Sequence, residues 1–229
     1  MFVIGTVAGP RDKRVVSWAE HWTKRGQLLV LVQAGPEWLL SDTAAELRKA
    51  APDIEIIPVT PTGNADIHWN SLIAIADMFQ PEAVVTCKGT DEFMTDASWR
   101  LLKKAVRSDN DGRIWWVSYK DYFDGVHLPE MQNGPDYHPI LLRGQPLNYP
   151  PRFHTWPSPQ CSTDEIRFLP ETIQIEHRRS LEDTVRANME RTAFGTLQNI
   201  ETQGQFLQKL QAAATKAGLV WPVVEQEQK

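Results

Sequence analysis

Two hydrophobic patterns alternate along the first part of the chain. Short continuous apolar runs, rich in β-branched residues, are separated by longer stretches in which apolar positions return every three or four residues. "FVIGTV" reads as a buried strand. "RDKRVVSWAEHWTKRG" reads as an amphipathic helix closed by Gly26, with Val15, Trp18, Ala19 and Trp22 on its core face. "LLVLVQ" is a second strand, and "SDTAAELRKA" a second helix with Ser41 or Asp42 as its N-cap. "IEIIPV" is a third strand followed by a turn at "PTGN", then a helix over "ADIHWNSLIAIADMF" and a fourth strand, "AVVTCK". This alternation predicts an α/β fold with a mostly parallel sheet and right-handed crossovers. Such sheets bind ligands beyond the carboxyl ends of their strands. One rim then carries Thr6 to Arg11, Gln33 to Gly35, Thr60, and Lys88 to Glu92.

Further on, "DASWRLLKKAVR" predicts a helix capped by Thr95 or Asp96, and "RIWWVSYKDYFDG" a strand that ends in a turn, with Trp115 and Trp116 on opposite faces. Residues 126 to 160 lose this periodicity. Eight of the sixteen prolines fall there, so the segment reads as a functional or mobile excursion. "EIRFLP" and "TIQIEH" are two short strands. "SLEDTVRANMERTAF" opens a helix with a capping-box-like Ser180 and Asp183, and a polar amphipathic helix continues to Gly218. There is no internal repeat and no low-complexity segment.

Composition narrows the class. With 229 residues, 41% of them hydrophobic and nine of them Trp, the chain can bury one sizeable α/β core. A net charge of −5 gives no support for tight non-specific nucleic-acid binding, although a total leaves room for a local basic groove. The two cysteines, Cys87 and Cys161, make no disulfide framework and fit a reducing compartment. The apolar start is too short to span a bilayer and has no basic region before it, and no other run approaches a membrane helix. The expectation is a soluble, cytoplasmic protein.

Several chemistries have no motif here. There is no G-x-G-x-x-G after the first strand, no G-x-x-x-x-G-K-[ST], no G-x-S-x-G elbow and no zinc spacing of His and Cys. What remains is a metal or phosphate site built from carboxylates, and "KGTDEFMTD" sets Asp91 and Glu92 at the end of a buried strand. Each candidate also has a plainer reading. Asp91 and Glu92 can be solvated loop charges, and Asp121 and Asp124 turn formers. Arg178 and Arg179 can be a solvated pair beside the acids of the next helix.

Three stretches, in order, resemble a GT-A glycosyltransferase of the family-2-like group whose metal motif reads D-x-D-E-F. They are "RDKRVVSWAEHWTKRGQLLVLV", "AVVTCKGTDEF" and "IQIEHRRSLEDTVRANMERT", and the likeness spans roughly residues 1 to 195. It implies a GT-A (Rossmann-like) domain over residues 1–180 that binds a nucleotide-sugar donor, a UDP-sugar by expectation, with C-terminal helices and a tail over 181–229. It implies a divalent cation, Mn2+ or Mg2+, held by Asp91 with His177 as second ligand and Glu92 as neighbour. By the same resemblance Arg178 or Arg179 would face the pyrophosphate. Thr6, Ala8 and Arg11 would meet base and ribose, and Asn70, Lys88 and Thr90 would contact the nucleotide. One departure stands out: Gly89 occupies the position of the family's first motif acid.

Inverting enzymes of this fold use a carboxylate as base on the acceptor hydroxyl. Here that implies Asp124 ahead of Asp121, with His154 and Trp156 lining the acceptor side. The acceptor is expected to be a soluble glycan, a protein or a small molecule. In small phage-type members, which this chain resembles in brevity, it is a hydroxymethylated pyrimidine base in DNA. Basic clusters at Arg11-Lys13-Arg14, Lys103-Lys104-Arg107 and Arg178-Arg179 would then track the DNA backbone. Two other classes compete. One is a non-catalytic, degenerate GT-A module that binds nucleotide or glycan, favoured by Gly89. The other, a metal-dependent phosphoesterase, calls for more clustered acids and histidines than the chain has.

Overall fold

The computed structural model describes residues 1–62, 65–131, 136–150, 157–194 and 197–223. In chain order its elements are β1 (Phe2–Ala8), α1 (Arg14–Trp22), β2 (Gln27–Gln33), α2 (Asp42–Ala50), β3 (Glu55–Val59), α3 (Trp69–Asp77), β4 (Ala83–Cys87), β5 (Glu92–Phe93), α4 (Asp96–Ser108), β6 (Ile114–Phe123) and β7 (Val126–His127). They continue with β8 (Asp136–Leu142), β9 (Leu147–Asn148), β10 (Ser158–Pro159), β11 (Ile166–Phe168), β12 (Gln174–Arg179), α5 (Leu181–Phe194) and α6 (Leu197–Lys216). The fold is mixed α/β, as the alternating pattern predicted. The contacts divide the chain into two units, Met1–Ser118 with Tyr137–Ile175, and Tyr119–Asp136 with Glu176–Lys229.

In the first unit the strands lie in the order β3-β2-β1-β4-β8-β6, with β11 also on β6. The pairs β3–β2, β2–β1 and β1–β4 are parallel, and Thr6 lies between Val30 and Cys87. The order runs outward from β1 to β3 and then resumes on the other side of β1 with β4. That reversal is a topological switch point, where the β1–α1 and β4–α4 loops diverge and leave a crevice.

Alternation along β1 divides the core. Val3 and Val7 join Leu29 and Leu31 against Trp69, Leu72, Ile73 and Ala76 of α3. Phe2, on the opposite face, meets Trp99 of α4 edge-on at 5.2 Å, and Trp99 meets Trp22 of α1 at 6.0 Å. Trp18, Trp22, Trp69 and Trp115 are fully buried. Each removes one of the largest apolar surfaces available to a residue, roughly 150–250 Å². The helix starts follow local chemistry. Ser41 Oγ accepts from the Ala44 amide, and Thr95 Oγ1 from the Ser98 amide, so Ser41 and Thr95 are the caps among the predicted pairs.

The proline-rich stretch departs from expectation. Within it, β8 is an inner strand of the sheet, antiparallel to β4, with Leu142 opposite Val84 and Leu141 opposite Val85. Pro139 has no amide hydrogen to give a ladder, and the described β4–β8 pairs stop short of it. The Thr86 hydroxyl instead donates to the Ile140 carbonyl at 3.2 Å. The loop after β8 is secured by Arg143. Its guanidinium donates to the carbonyls of Val106, Asp109, Asn110 and Gly112 at 2.9–3.1 Å and lies over the Trp115 ring.

The second unit packs Phe123 and Leu128 with Leu181 and Val185 of α5 and Leu210, Ala213 and Ala214 of α6. Ser180 caps α5, with its Oγ accepting from the Asp183 amide at 3.2 Å. After α6, Gly218 adopts φ +76°, a left-handed turn that lets the Leu219 amide reach the Ala214 carbonyl at 2.9 Å. Among the described residues no helix is long and apolar enough to cross a membrane.

Candidate functional site

Indole donors hold both loops of the switch point. Trp38, just after β2, donates to the Pro10 carbonyl at 2.9 Å, and Trp22 of α1 donates to the Glu92 carbonyl at 3.0 Å. The Met94 amide donates to His21 Nε2 at 3.1 Å, so α1 carries part of the β4–α4 loop. Trp22 and Trp38 are buried residues whose indole N–H groups set the positions of the loops.

Within the "KGTDE" loop each residue has a separate task. The Glu92 side chain is 2% exposed as part of a buried residue, and its carboxylate accepts from the Lys88 amide at 2.9 Å, closing the loop on itself. Lys88 Nζ lies 3.1 Å from His138 Nδ1. The β4–β8 register brings His138 level with Lys88. Thr90 is buried, and its hydroxyl donates to Asp12 Oδ2 at 2.6 Å. Asp12 Oδ1 accepts from both the amide and the Nε of Arg14 at 3.1 Å. Arg14 NH1 stands 3.6 Å from Asp91 Oδ2. The side chains of Asp12 and Asp91 are 19% and 13% exposed, that of Arg14 52%. The site is therefore a pair of half-sheltered carboxylates from two loops, joined by one more open guanidinium.

Gly89 is explained by space. A Cβ built there would fall 2.2 Å from Asp91 Oδ1, whereas real Cβ contacts stay beyond 3.0 Å. The Asp91 carboxylate is folded onto the bare backbone of Gly89. The bare Cα of Gly89 and the seat of Asp91 are the same feature.

The other nucleotide-side candidates are placed as follows. Thr6 and Ala8 are buried in β1, and Thr6 Oγ1 has no hydrogen-bond partner among the described residues. Arg11 is exposed beside Asp12. Asn70 clamps the chain at β9: its Nδ2 donates to the Tyr149 carbonyl at 2.8 Å and to Asn148 Oδ1 at 3.2 Å, and its Oδ1 accepts from the Tyr149 amide at 2.8 Å. Burial, reinforced by the nearby Glu92 charge, pushes the Cys87 thiol well above its ordinary pKa, so it stays protonated and offers no nucleophile.

Asp121, Asp124, His177, Arg178 and Arg179 belong to the second unit. His177 Nδ1 lies 3.1 Å from Asp121 Oδ1, and Arg179 approaches the same carboxylate at 3.9 Å and the His177 ring at 2.9–3.1 Å. Tyr119 meets the imidazole edge-on at 6.0 Å. Asp124 has a structural task. At φ +47° it turns the chain, its amide donates to the Arg179 carbonyl, and its Oδ1 accepts from the Leu181 amide at 3.2 Å, the first turn of α5. Arg178 is paired with Glu176 at 2.6 Å. His154 and Trp156 lie outside the described residues.

Asp12 and His138 were not singled out in the sequence, and Arg14 was named only as part of a basic cluster. Asp12 and Arg14 follow Arg11, the last residue of the predicted rim segment. His138 is in the strand hidden by the prolines. Among the described residues no three His, Cys, Asp or Glu side chains gather into a metal cage. A phosphate-bridging Mg2+ or Mn2+ needs only one or two carboxylates with phosphate oxygens and waters completing its shell, and Asp91 fits that requirement.

No protein-family model matches the chain, and no curated protein matches it. Among solved structures it is similar to S. aureus TarS 1–349 crystallised in complex with UDP, at 11% identity and a TM-score of 0.51, covering 94% of this chain and 72% of that one. A second crystal structure of TarS 1–349 is matched at 9% identity and a TM-score of 0.48, with the same coverage. At this identity the likeness to the UDP complex is one of fold.

Proposed function

We propose that the first unit binds a nucleotide-sugar donor at the β1–β4 switch point and that the protein transfers the sugar to an acceptor hydroxyl. The observation that carries this reading is the Asp91 carboxylate, seated on Gly89 beside Asp12 and Arg14 where a sheet of this topology opens a ligand crevice. The fold shared with a chain crystallised with UDP supports it and makes a uridine nucleotide the first donor to test.

The charges argue for a cation. Asp12, Asp91 and Glu92 against Arg14 and Lys88 leave this cluster at −1. A nucleoside diphosphate would meet repulsion there unless a divalent ion came with it. Asp91 would hold that ion, which supplies charge neutralisation as the diphosphate leaves. The residues of the loops do the rest. Glu92 fixes the loop through the Lys88 amide, Thr90 ties it to Asp12, and Lys88, with His138 beside it, adds a positive charge for phosphate oxygens.

The two carboxylates expected as acceptor base both lie in the second unit and differ in their contacts. His177 and Arg179 flank the Asp121 carboxylate, whereas the Asp124 carboxylate is committed to the start of α5. His177 is accordingly given to Asp121, and Asp91 is the carboxylate given to the cation.

The acceptor stays at the level of a hydroxyl compound. For modified DNA the basic clusters would have to face a backbone, and Arg14, Arg107 and Arg178 would have to exchange a carboxylate partner for phosphate. The competing reading, a module that binds without turnover, is separated by one experiment. The protein is titrated with UDP, GDP and ADP with Mn2+ present, then assayed for nucleoside diphosphate release from the corresponding sugars. Binding lost in Asp91→Ala, with nucleoside diphosphate released by the parent protein when an acceptor is added, supports the transferase. Binding unaffected by Asp91→Ala, with no turnover on any acceptor, supports the module.

A further inference from the structure

We infer that Gln33, at the carboxyl end of β2, reads the nucleobase of the donor, and that it selects a base with a carbonyl, such as uracil, over one with an amine at the same position, such as cytosine. The inference rests on the donor-site reading above and deepens it. That reading concerns the diphosphate, and this one the base.

Gln33 is the last residue of β2 and pairs with Val59, the last residue of β3. Its side chain turns toward the segment that follows β3. The Thr62 amide donates to Gln33 Oε1 at 3.2 Å, and the Thr62 hydroxyl donates to the same oxygen at 3.1 Å. That hydroxyl also lies 3.4 Å from Nε2 of the buried His68, just ahead of α3. A backbone amide can only donate, so the edge of the Gln33 carboxamide that faces Thr62 is its oxygen. The opposite edge is the NH2 group. Gln33 Nε2 has no hydrogen-bond partner among the described residues, and in this half-buried side chain it is not enclosed. Asn70 differs, because its carbonyl and its amine are both engaged with Asn148 and Tyr149.

Strand order sets the reach. β2 lies beside β1 and two strands from β4, so the end of β2 is about 10 Å along the rim from the end of β4. A nucleoside diphosphate with its phosphates at the "KGTDE" loop lays its ribose across the end of β1 and brings its base to Gln33. Gly9, just after β1, leaves that path open, since a Cβ built there meets nothing within 4 Å. At the base, an NH2 donor pairs with a carbonyl such as O4 of uracil. Cytosine presents its N4 amine at that position, donor against donor. Turning the carboxamide over to suit cytosine would break both bonds from Thr62 and set the Thr62 amide against an NH2 group. The direction of one backbone N–H therefore fixes which base is accepted. A residue that merely braced the loop would affect both bases alike.

The test titrates the full chain by calorimetry with UDP and with CDP, Mn2+ present in both. The two ligands differ only at position 4 of the base and in the N3 proton that goes with it. The parent protein should bind UDP about tenfold or more tightly than CDP. Gln33→Ala should bring that ratio close to one. Gln33→Glu keeps an oxygen on the Thr62 amide and turns a second oxygen toward the base, so the preference should invert in favour of CDP. Its added charge repels both diphosphates alike and cancels in the ratio. Thermal unfolding confirms that each variant is folded. If the parent binds CDP as tightly as UDP or more tightly, the inference is overturned while the donor-site reading stands. The same holds if the ratio is unchanged in a folded Gln33→Glu. If the parent binds neither nucleotide, the inference falls together with the uridine-donor reading.

Discussion

Replacing Gly89 by aspartate restores the first acid of the D-x-D-E-F pattern, and a motif argument expects tighter metal and donor binding. The geometry leads to the opposite expectation. A Cβ at position 89 lies 2.2 Å from Asp91 Oδ1, so the carboxylate must retreat by about 1 Å to reach an ordinary contact. A side chain this short does so by leaving its rotamer, which carries Oδ2 away from Arg14. The effect on folding is small because two terms oppose each other. The Asp91–Arg14 pair, with Arg14 half exposed, contributes at most about 1 kcal/mol. Gly89 does not have a positive φ, so a Cβ there stabilises by about 0.4–1 kcal/mol through the unfolded chain. Gly89→Ala and Gly89→Asp should therefore unfold in urea within about 1 kcal/mol of the parent. Calorimetric titration of UDP with Mn2+ should show affinity lowered by about tenfold, equivalent to roughly 1.4 kcal/mol. If Gly89→Asp binds UDP more tightly than the parent, or Gly89→Ala binds it equally well, the account of Gly89 as a seat for Asp91 is refuted.

Other outcomes follow from single contacts. Asp124→Ala should destabilise the fold by about 2 kcal/mol, because it removes the acceptor of the Leu181 amide and puts alanine at positive φ; Asp124→Asn should keep most of that stability in urea. Arg143→Lys should cost about 2–3 kcal/mol in the same assay, since one ammonium cannot reach the four carbonyls that the guanidinium holds. Hydrogen bonds from Arg107 and the Met1 amine lower the Glu82 carboxyl from 4.5 to about 2. A carboxyl depressed in the folded state stabilises above its unfolded pKa and loses that contribution as pH falls. The Glu82 contribution should therefore be complete above pH 4.5 and vanish toward pH 2, and Glu82→Gln should flatten the stability curve across that window.

Much of the fold was legible because its signals are local. The apolar runs of β1, β2, β3 and β4, the helical spacing of Val15, Trp18 and Trp22, and the caps Ser41, Thr95 and Ser180 each depend on residues within a turn or two of one another. The inner strand β8 was not legible. Prolines interrupt its pattern, and its stability comes from β4, whose partner residues lie about sixty positions earlier in the chain. The rim that carries Asp91 could be inferred from strand order. The partners of Asp91 could not.

By itself the sequence determined an α/β chain with a mostly parallel sheet and acids at a strand's carboxyl end, since period and composition act over neighbouring residues. Tertiary structure decided which acids work together. Thr90 meets Asp12 across 78 residues, and Asp121 meets His177 by way of two different strands. It also decided that the glycine at 89 makes room for a carboxylate. Those contacts depend on how crossovers return distant strands to adjacent places, and no local pattern encodes a distance between loops.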